Sequence, residues 1–521
     1  MLAPKRPPEN GIEANRPMPF SGILSSKQLA GGKPATPFPR AALLAALLAA
    51  SALGGCAVGP NYQPPQPAAL GVPQAYGATA APAAPADLAT WWRQLDDPLL
   101  TRLIDEATAG NLDIAVSRSR LVQAREQLIQ TRSSLFPSLD GSAGLGQTAT
   151  WARKTTSTAF GFPVVSGGNS SSTQLSLGLD ASWQADIFGG TRRSVEAAQA
   201  SSDAALYSLA GVRTSVAGEV ATNYIDARIA QARLAIARDT LKNQDDNLQI
   251  AGWRVKAGLV PATDAEQARA QRAQTAATIP LLETSLSNAV NRLGVLTGQA
   301  PSALRQTLET AGPIPHGPDS VAVGIPADTL RQRPDVRAAE RSLASATAQI
   351  GVAEAQLYPS LSLTGSLDST AGRVISLGQT ITGQAFANVS QKIFDAGRLR
   401  SQVRSARAGA EGAFATYKST VLGGLEDVEN AIQSMNSAKS RQASLAEATD
   451  ASNNAAILAR AEYRVGLTDF LTLLQSEQSL LQARDSLAAA QGDQALALVQ
   501  LYLALGGGWQ PSSPETTGTP S

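Results

Sequence analysis

Few side chains in this chain are of the types that carry enzymatic chemistry. The 521 residues include one histidine and one cysteine, which excludes a histidine-rich metal site, a four-cysteine zinc site and a disulfide framework. His316 lies among glycines and prolines, a composition typical of loops, and no nucleophile–base pair or phosphate-binding loop is recognisable. Lys and Arg (43) balance Asp and Glu (42), so charge gives no reason to expect nucleic acid as a partner. We therefore expect a protein that is not an enzyme.

The single cysteine, Cys56, is placed for a covalent modification. Residues 41–52 form an apolar run behind two basic residues, and such a run is shorter than the ~20 residues that a membrane-spanning helix needs. Its length is typical of a signal peptide. The run ends in Leu53-Gly54-Gly55-Cys56, which resembles the bacterial lipobox, where the cysteine is acylated and becomes the mature N-terminus. The alternative is an unmodified buried thiol.

These features divide the N-terminal region. We expect residues 1–55 to be a signal peptide with a disordered leader, and Met18 is an alternative start to Met1. Residues 56–86, rich in Ala and Pro, are predicted to form an extended tether between a lipid anchor and the folded body. The only cofactor expected is the covalent diacylglycerol and acyl chain on Cys56.

The rest of the chain repeats itself. Three segments recur in the same order: 135–139 at 357–361, 187–190 at 393–397, and 253–259 at 463–467. One such similarity could arise by chance, but three in register indicate an internal tandem duplication. We assign the first repeat to residues 87–305, the second to 306–508, and a disordered C-terminal tail to 509–521.

Each repeat has the same predicted elements. Apolar and polar residues alternate with period two in four segments, which predicts strands with one apolar face at 139–145, 174–187, 361–367 and 381–389. The intervening stretches 149–172 and 368–380 are rich in Ser, Thr and Gly and are predicted to be loops. Coiled-coil spacing predicts two very long helices, 191–257 and 397–464. Shorter helices are predicted at 112–135, 262–297, 328–357 and 469–505.

These elements require more than one copy of the chain. Strands with one apolar face suit an outer-membrane barrel, whose edges must be paired because lipid cannot satisfy backbone N–H and C=O groups. Four strands cannot close a barrel: two copies would give eight strands and a filled interior, whereas three would give twelve and a lumen. A helix of 67 residues spans ~100 Å, so barrel and helices together would form a long duct.

The chain resembles the outer-membrane factor family (TolC/OprM type), and within it the lipoproteins of the NodT group that serve RND efflux systems. The motifs that carry the resemblance are Gly59-Pro60-Asn61-Tyr62, Trp91-Trp92, Asp97-Pro98-Leu99, Leu103-Ile104, Asp186-Ile187-Phe188-Gly189 and the segment 331–337. The resemblance implies an α+β membrane protein. Its fold would be a homotrimer with a 12-stranded transmembrane β-barrel, four strands per chain, continuous with a 12-helix coiled-coil periplasmic tunnel.

The resemblance also implies a function. The protein would be the passive outer-membrane duct of a tripartite RND-type efflux pump, exporting small toxic molecules and antibiotics. It would lie in the bacterial outer membrane, lipid-anchored, with its tunnel in the periplasm. Its partners would be a periplasmic adaptor, an inner-membrane RND pump and outer-membrane lipid. The alternatives are a duct for ABC-driven (type I) secretion of proteins or polysaccharides, and a surface-anchored coiled-coil protein without a pore.

Site residues follow from the resemblance alone. The adaptor would meet the hairpin tips at Arg254, Gly258, Leu259, Arg464, Gly466 and Leu467. Asp264 and Tyr463 would lock neighbouring helices of a periplasmic gate, and Leu471 and Gln475 would form rings that narrow the bore. Asp264 could instead simply favour a helix N-terminus, and Leu471 could be ordinary coiled-coil packing. The chain departs from the family at Thr468, where some members have Arg, and at Gln475, where Asp is common; we expect weaker cation binding at that ring.

Overall fold

The computed structural model describes residues 57–77, 88–160, 162–318, 321 and 323–510. The predicted signal peptide 1–55, the acylation site Cys56 and most of the predicted tail 509–521 lie outside the described residues.

Helices account for most of the described chain, and the two long ones have nearly the predicted bounds. The helices are α1 (Pro67–Leu70), α2 (Pro98–Gly110), α3 (Leu112–Ser133), α4 (Gly190–Lys256), α5 (Ala262–Leu296), α6 (Pro326–Gln332), α7 (Pro334–Ala355), α8 (Arg398–Val465) and α9 (Phe470–Ala504). We call α4–α5 the first hairpin and α8–α9 the second hairpin. The long helices α4 and α8 contain 67 and 68 residues, so each is ~100 Å long.

One predicted helix is divided. The stretch predicted as a single helix over 328–357 is two helices, α6 and α7, separated at Arg333. Pro334 is the first residue of α7, and a proline forces the residue before it out of the helical region. Arg333 accordingly adopts an extended conformation, with φ −67° and ψ 128°.

All four predicted strands are present and form one antiparallel sheet. Strands β1 (Ser138–Trp151), β4 (Asn169–Ala185), β5 (Ser360–Ala371) and β6 (Thr382–Ser390) lie in the order β1-β4-β5-β6. The β4–β5 pairing joins the two predicted repeats through an antiparallel ladder from Leu175–Ala371 to Ala185–Leu361. Strands β1 and β6 are left as open edges within one chain.

The register collects the apolar side chains on one face of the sheet. One row across all four strands is formed by Gly141, Leu179, Leu367 and Gly383, and the next residue along each strand gives the row Ser142, Gly178, Asp368 and Thr382. Apolar side chains on the first face remain exposed, among them Leu145 (75%) and Val389 (73%). The sheet therefore has one apolar face that nothing within the described chain covers.

The region predicted as a loop over 149–172 contains more structure than expected. Strands β1 and β4 continue their pairing as far as Trp151 and Asn169, and β2 (Thr155–Ala159) pairs with β3 (Phe162–Ser166) beyond them. The Ser and Thr residues that suggested a loop are compatible with this ladder because its hydrogen bonds are made by the backbone.

The residues at the N-terminal end of the described chain are hydrogen-bonded to the folded body of the protein. Val58 N donates to Phe188 O (3.1 Å), and Arg193 donates from Nε to Val58 O (3.1 Å) and from Nη2 to Asn61 Oδ1 (2.7 Å). A Cβ on Gly59 would meet the backbone of Gly351. Residues 57–77 of the predicted tether therefore contain the short helix α1 and are fastened to the long helices, with further bonds from the Tyr62 hydroxyl to Glu340 and from Gly77 N to Glu429.

A central apolar core lies along the middle of the helices. Trp91 is fully buried and stacks on Tyr502 with 5.5 Å between ring centroids. Leu103 and Ile104, from the motif after the tryptophans, are fully buried in the same cluster. Among the described helices, none has the length and apolarity that crossing a membrane would require.

Helices α4 and α9 interlock beside this core. A Cβ on Gly492 of α9 would meet the side chain of Ile229 of α4, and a Cβ on Gly218 of α4 would meet the side chain of Leu503 of α9. Each helix thus inserts an apolar side chain against a glycine of the other. This arrangement joins the first hairpin to the second by close packing.

Candidate functional site

The hairpin tips are tight turns that require glycine. Gly258 and Gly466 have φ values of +70° and +79°, which L side chains rarely adopt. At the end of α4, Leu259 N donates to Arg254 O (2.9 Å), and at the end of α8, Leu467 N donates to Glu462 O (2.9 Å). These bonds satisfy the last carbonyls of the long helices and turn the chain sharply.

The turns expose two leucine side chains to solvent. Leu259 is 73% exposed and Leu467 is 78% exposed. Val465 and Arg464, which precede Gly466, are also exposed. The tips therefore present apolar groups in the turns and, at the end of α8, an apolar and a cationic side chain.

Arg254, a predicted tip residue of the first hairpin, contacts the second hairpin. Its guanidinium carbon lies 4.3 Å from the centroid of the Tyr463 ring. Tyr463 is 7% exposed, and its ring also packs against Phe470 with 5.5 Å between centroids. A predicted docking residue and a predicted gate residue are thus brought together.

The structure does not pair Asp264 with Tyr463. Among the described residues no hydrogen bond joins the two side chains, and the buried Tyr463 hydroxyl has no hydrogen-bond partner there. Asp264 lies in the first turn of α5, where a carboxylate is favoured by the helix dipole.

Leu471 and Gln475 lie one turn apart on the same face of α9. Both are exposed. The adjacent face of α9 is buried, and it includes Leu473, Glu477 and Leu480. The predicted ring residues therefore occupy a stripe that faces away from the other helices of the chain.

The first residues of α9 are held by Asp469. The Asp469 carboxylate accepts a hydrogen bond from Thr472 N (2.7 Å), which caps the helix. Hydrogen bonds from the Thr472 side chain and backbone lower the pKa of Asp469 below its usual value. The cap fixes where α9 begins after the turn at Gly466.

A buried polar cluster above the tips was missed from the sequence. Glu477 is 6% exposed and accepts hydrogen bonds from Asn247 Nδ2 of α4 (2.6 Å) and Arg460 Nε of α8 (2.8 Å). The available signal was the position of Glu477 between Leu473 and Leu480 on the apolar stripe of α9. A carboxylate at such a position must find partners, because an unpaired buried charge is strongly unfavourable.

The remaining sequence motifs stabilise the middle of the molecule. Asp97 caps α2 and accepts a hydrogen bond from the hydroxyl of Tyr224 (2.6 Å), and that hydroxyl also accepts from Arg228. Burial, followed by the bond to Asp97, raises the pKa of Tyr224.

Arg333, from the motif at 331–337, ties three elements together. Its side chain donates to Asp335 (2.8 Å), to Asp427 of α8 (2.9 Å) and to Ala504 O of α9 (3.1 Å). These bonds lie far from the tips, so Arg333 is a structural residue.

The sequence and the structure both have known counterparts. The sequence model described as OEP, outer membrane efflux protein, matches residues 103–299 and 325–507. Nodulation protein T of Rhizobium leguminosarum bv. trifolii is 32% identical over 467 residues, which are 88% of this chain and 96% of that protein. The toluene efflux pump outer membrane protein TtgI of Pseudomonas putida is 30% identical over 477 residues, 88% of this chain and 97% of that protein. The solved structure of the outer-membrane channel OprN has a TM-score of 0.78 at 35% identity, covering 88% of this chain and all of that one.

Proposed function

The chain belongs to the outer membrane efflux protein family, and on that premise we propose that it is the outer-membrane duct of a tripartite, RND-driven efflux pump for small toxic molecules. The observation that carries the proposal is the junction of a sheet with an exposed apolar face to two helical hairpins, each with one helix ~100 Å long. Such an arrangement can line a passage, whereas the sequence offers no group that would act on what passes.

We propose that the duct is a homotrimer. The open edges of β1 and β6 support this, because they need partners in lipid and three four-stranded sheets close a barrel of twelve strands. Twelve long and stacked helices would continue the barrel as the periplasmic tunnel. The recurring order of helix, strand pair and hairpin supports the tandem duplication with repeats at 87–305 and 306–508. Crosslinking and mass measurement of the detergent-solubilised protein would test the trimer, and a monomer or dimer would contradict it.

We propose that Cys56 carries the lipid anchor. The fastening of Val58 to Phe188 supports this, because Phe188 lies between the end of β4 and the start of α4, where the apolar face of the sheet ends. An acyl chain on the preceding Cys56 would then enter the bilayer beside the barrel. Incorporation of labelled palmitate into the wild type but not into Cys56→Ala is the expected result, and equal labelling would refute the assignment.

We propose that the tips dock a periplasmic adaptor. Their exposed Leu259 and Leu467, with the neighbouring Arg464, support this because exposed apolar groups at the end of a rod suit a protein partner. Gly258 and Gly466 would shape the docking turns. Leu259→Asp with Leu467→Asp should abolish efflux while the trimer still assembles; unchanged efflux would contradict the docking role.

We also propose that Leu471 and Gln475 narrow the bore at the same end. Their exposed stripe on α9 supports this role, since three copies of it would face a common axis. The gate roles of Asp264 and Tyr463 remain proposals that rest on family resemblance.

Accumulation of dyes, antibiotics and metal ions in a deletion strain tests the function as a whole. Raised accumulation that the wild-type chain reverses is the expected result. No change in accumulation, with proteins or polysaccharides missing from the medium instead, would favour the secretion duct. Absence of any conductance by the purified protein in planar bilayers, together with no effect in cells, would favour a structural coiled-coil protein.

A further inference from the structure

A basic surface lies where the sheet joins the second hairpin. The segment 391–410 carries a single acid, Asp395, and five cationic residues. The cationic residues, all of them exposed, are Lys392, Arg398, Arg400, Arg404 and Arg407.

Four of these cations form no salt bridge with any described residue. Arg407 differs, because it pairs with Glu354 of α7 (2.8 Å). The carboxylate of Asp395 is occupied by its own loop, since it accepts hydrogen bonds from Gly397 N (3.0 Å) and Leu399 N (2.8 Å). We call the four remaining cations, Lys392, Arg398, Arg400 and Arg404, the junction patch.

The two long helices begin in the same way. Gly189 precedes α4 and Gly397 precedes α8, each in the left-handed conformation, with φ values of 80° and 85°. The third residue after the glycine is an arginine in both repeats, Arg192 and Arg400. Counting from the glycine therefore allows the surroundings of the two arginines to be compared.

The first repeat supplies carboxylates that the second repeat lacks. Arg192 forms a salt bridge with Asp186, three residues before the glycine (3.3 Å). Glu196, seven residues after the glycine, pairs with a neighbouring arginine of α4 (2.7 Å). The corresponding residues of the second repeat are Phe394 and Arg404. An anion that pairs with the junction patch would therefore have to come from outside the described chain.

Two exposed apolar side chains adjoin the junction patch on the side of the sheet. Ile393 is 96% exposed and Phe394 is 90% exposed. They follow β6 directly, and Val389 near the end of β6 belongs to the uncovered apolar face of the sheet. Along the chain the surface thus changes from apolar to aromatic and then to cationic. The same order is found across a bilayer from the acyl chains to the headgroups, with aromatic side chains at the interface.

A second copy of the chain is a poor source of the missing anion. In a closed barrel β6 of one copy would pair with β1 of the next, and α8 would then lie beside the α3 that precedes this β1. The part of α3 nearest the sheet carries Arg125 and Arg132 but one acid, Glu126. The neighbouring copy would therefore add positive charge to the junction.

We propose that the junction patch, together with Ile393 and Phe394, binds the headgroup phosphate of an anionic phospholipid in the periplasmic leaflet of the outer membrane. This inference rests on the proposed duct function, which places the sheet in the bilayer. Arginine suits such a ligand, because its planar guanidinium donates charge-assisted hydrogen bonds to two phosphate oxygens at once. The apolar pair would enter the interface beside the acyl chains and hold the cations at the level of the phosphates.

Native mass spectrometry of the detergent-solubilised trimer tests the proposal, with phosphatidylglycerol and phosphatidylcholine of identical acyl chains as the two probes. The wild type should bind phosphatidylglycerol more tightly, because the choline cation of the other lipid offsets its phosphate. Arg400→Gln with Arg404→Gln should weaken the binding of phosphatidylglycerol about thirtyfold, and that of phosphatidylcholine far less.

Three further variants separate charge from apolar contact. Lys392→Gln, in the loop before α8, should weaken the binding of phosphatidylglycerol about fivefold. Arg400→Lys with Arg404→Lys should keep most of the preference for phosphatidylglycerol, because both charges remain. Phe394→Ala should weaken the binding of both lipids alike, because the ring would contact the acyl region that they share.

Arg118→Gln with Arg120→Gln is the matched control. Both arginines are exposed on α3 and form no salt bridge with the described residues, but they lie ~20 Å before the end of α3 at Ser133. This variant removes the same charge as the patch variant and should bind both lipids as the wild type does. The mass spectrum confirms that every variant is compared as a trimer.

Unchanged binding of phosphatidylglycerol by both Lys392→Gln and the Arg400–Arg404 glutamine variant would overturn the proposal. An equal loss in the α3 control would also overturn it, because net charge alone would then explain the binding. Displacement of the lipid by inorganic phosphate at constant ionic strength would instead indicate a site for free anions.

Two other results have a different meaning. Loss of trimers in the glutamine variant, with unchanged lipid affinity of the trimers that remain, would overturn the proposal in favour of a contact between copies. Failure of the duct function is recognised separately, since the wild-type chain would then not restore efflux in the deletion strain, whatever its lipid preference.

Discussion

Replacing Gly492 by alanine tests how closely α4 and α9 approach each other. The added Cβ would collide with the side chain of Ile229, whose Cδ1 and Cγ1 atoms already occupy that space. Isoleucine is branched at Cβ and stiff about χ1 in a helix, so it cannot easily turn away. The alanine must therefore displace a side chain or separate the helices.

Two effects of opposite sign determine how much Gly492→Ala changes the free energy of unfolding. Alanine is a better helix former than glycine by about 0.8–1.0 kcal/mol. Inserting an extra carbon into a well-packed interface costs about 1–3 kcal/mol. We therefore expect Gly492→Ala to lose about 1 kcal/mol of unfolding free energy, in spite of its helix propensity.

Gly412→Ala on α8 isolates the packing effect. Apart from the neighbouring residues and backbone of α8 itself, no atom of the described residues lies within 4 Å of a Cβ built on Gly412, so this variant gains helix propensity without a collision. The melting temperature of the detergent-solubilised protein, followed by circular dichroism at the helical band, should rise for Gly412→Ala and fall for Gly492→Ala. Adding Ile229→Val, which removes Cδ1, should restore part of the loss.

An equal rise in melting temperature for both glycine variants would refute the reasoning. The helices would then be too far apart for an interlock at Gly492.

Three further outcomes follow from individual contacts. Asn111→Ala should cost about 1–2 kcal/mol of unfolding free energy, because the Asn111 side chain caps α3 and donates to Leu296 O (2.9 Å) from a buried position; thermal unfolding measures it. Since the folded-state pKa of Asp469 is lowered, its stabilisation of α9 is present above the unfolded value near ~3.9 and is lost as pH falls through the lower folded value. Asp469→Ala should accordingly speed hydrogen exchange at the Thr472 amide at neutral pH, and the difference from the wild type should vanish once the pH falls below the lowered folded-state pKa. Gln475→Asp should raise cation selectivity in bilayers, because it restores a carboxylate to each copy of the narrow ring; unchanged selectivity would contradict that placement.

Much of the fold could be predicted because its signals are local. Alternation of period two in 174–187 and seven-residue spacing in the long helices depend only on neighbours along the chain. The long helices α4 and α8 begin and end within one residue of the predicted bounds, whereas β4 begins at Asn169, five residues before its predicted start. The break at Arg333 is also local, since Pro334 causes it, but the longer helical pattern on either side conceals it in the sequence.

The candidate site was predicted only in part. In the structure Gly258 and Gly466 form the turns at the tips, and Leu471 and Gln475 lie on an exposed stripe of α9. Their roles in docking and in narrowing the bore stay predictions. The partner of Tyr463 was not predictable, because Arg254 lies about two hundred residues before it. The resemblance gave Asp264 and Tyr463 as locking positions and named no partner for the Tyr463 ring, which contacts Arg254 in the structure.

The sequence by itself determined the element types, the turns, the repeated layout and the apolar face of each strand, because each of these depends on the order of neighbouring residues. The tertiary structure decided which strands pair between the repeats, where residues 57–77 are fastened, and which side chains meet across the hairpins. Those choices depend on distances between segments far apart in the chain. Glu477 shows both contributions. Its position on an apolar stripe of α9 required a hydrogen-bond partner, and the packing of three helices determined that the partners are Asn247 and Arg460.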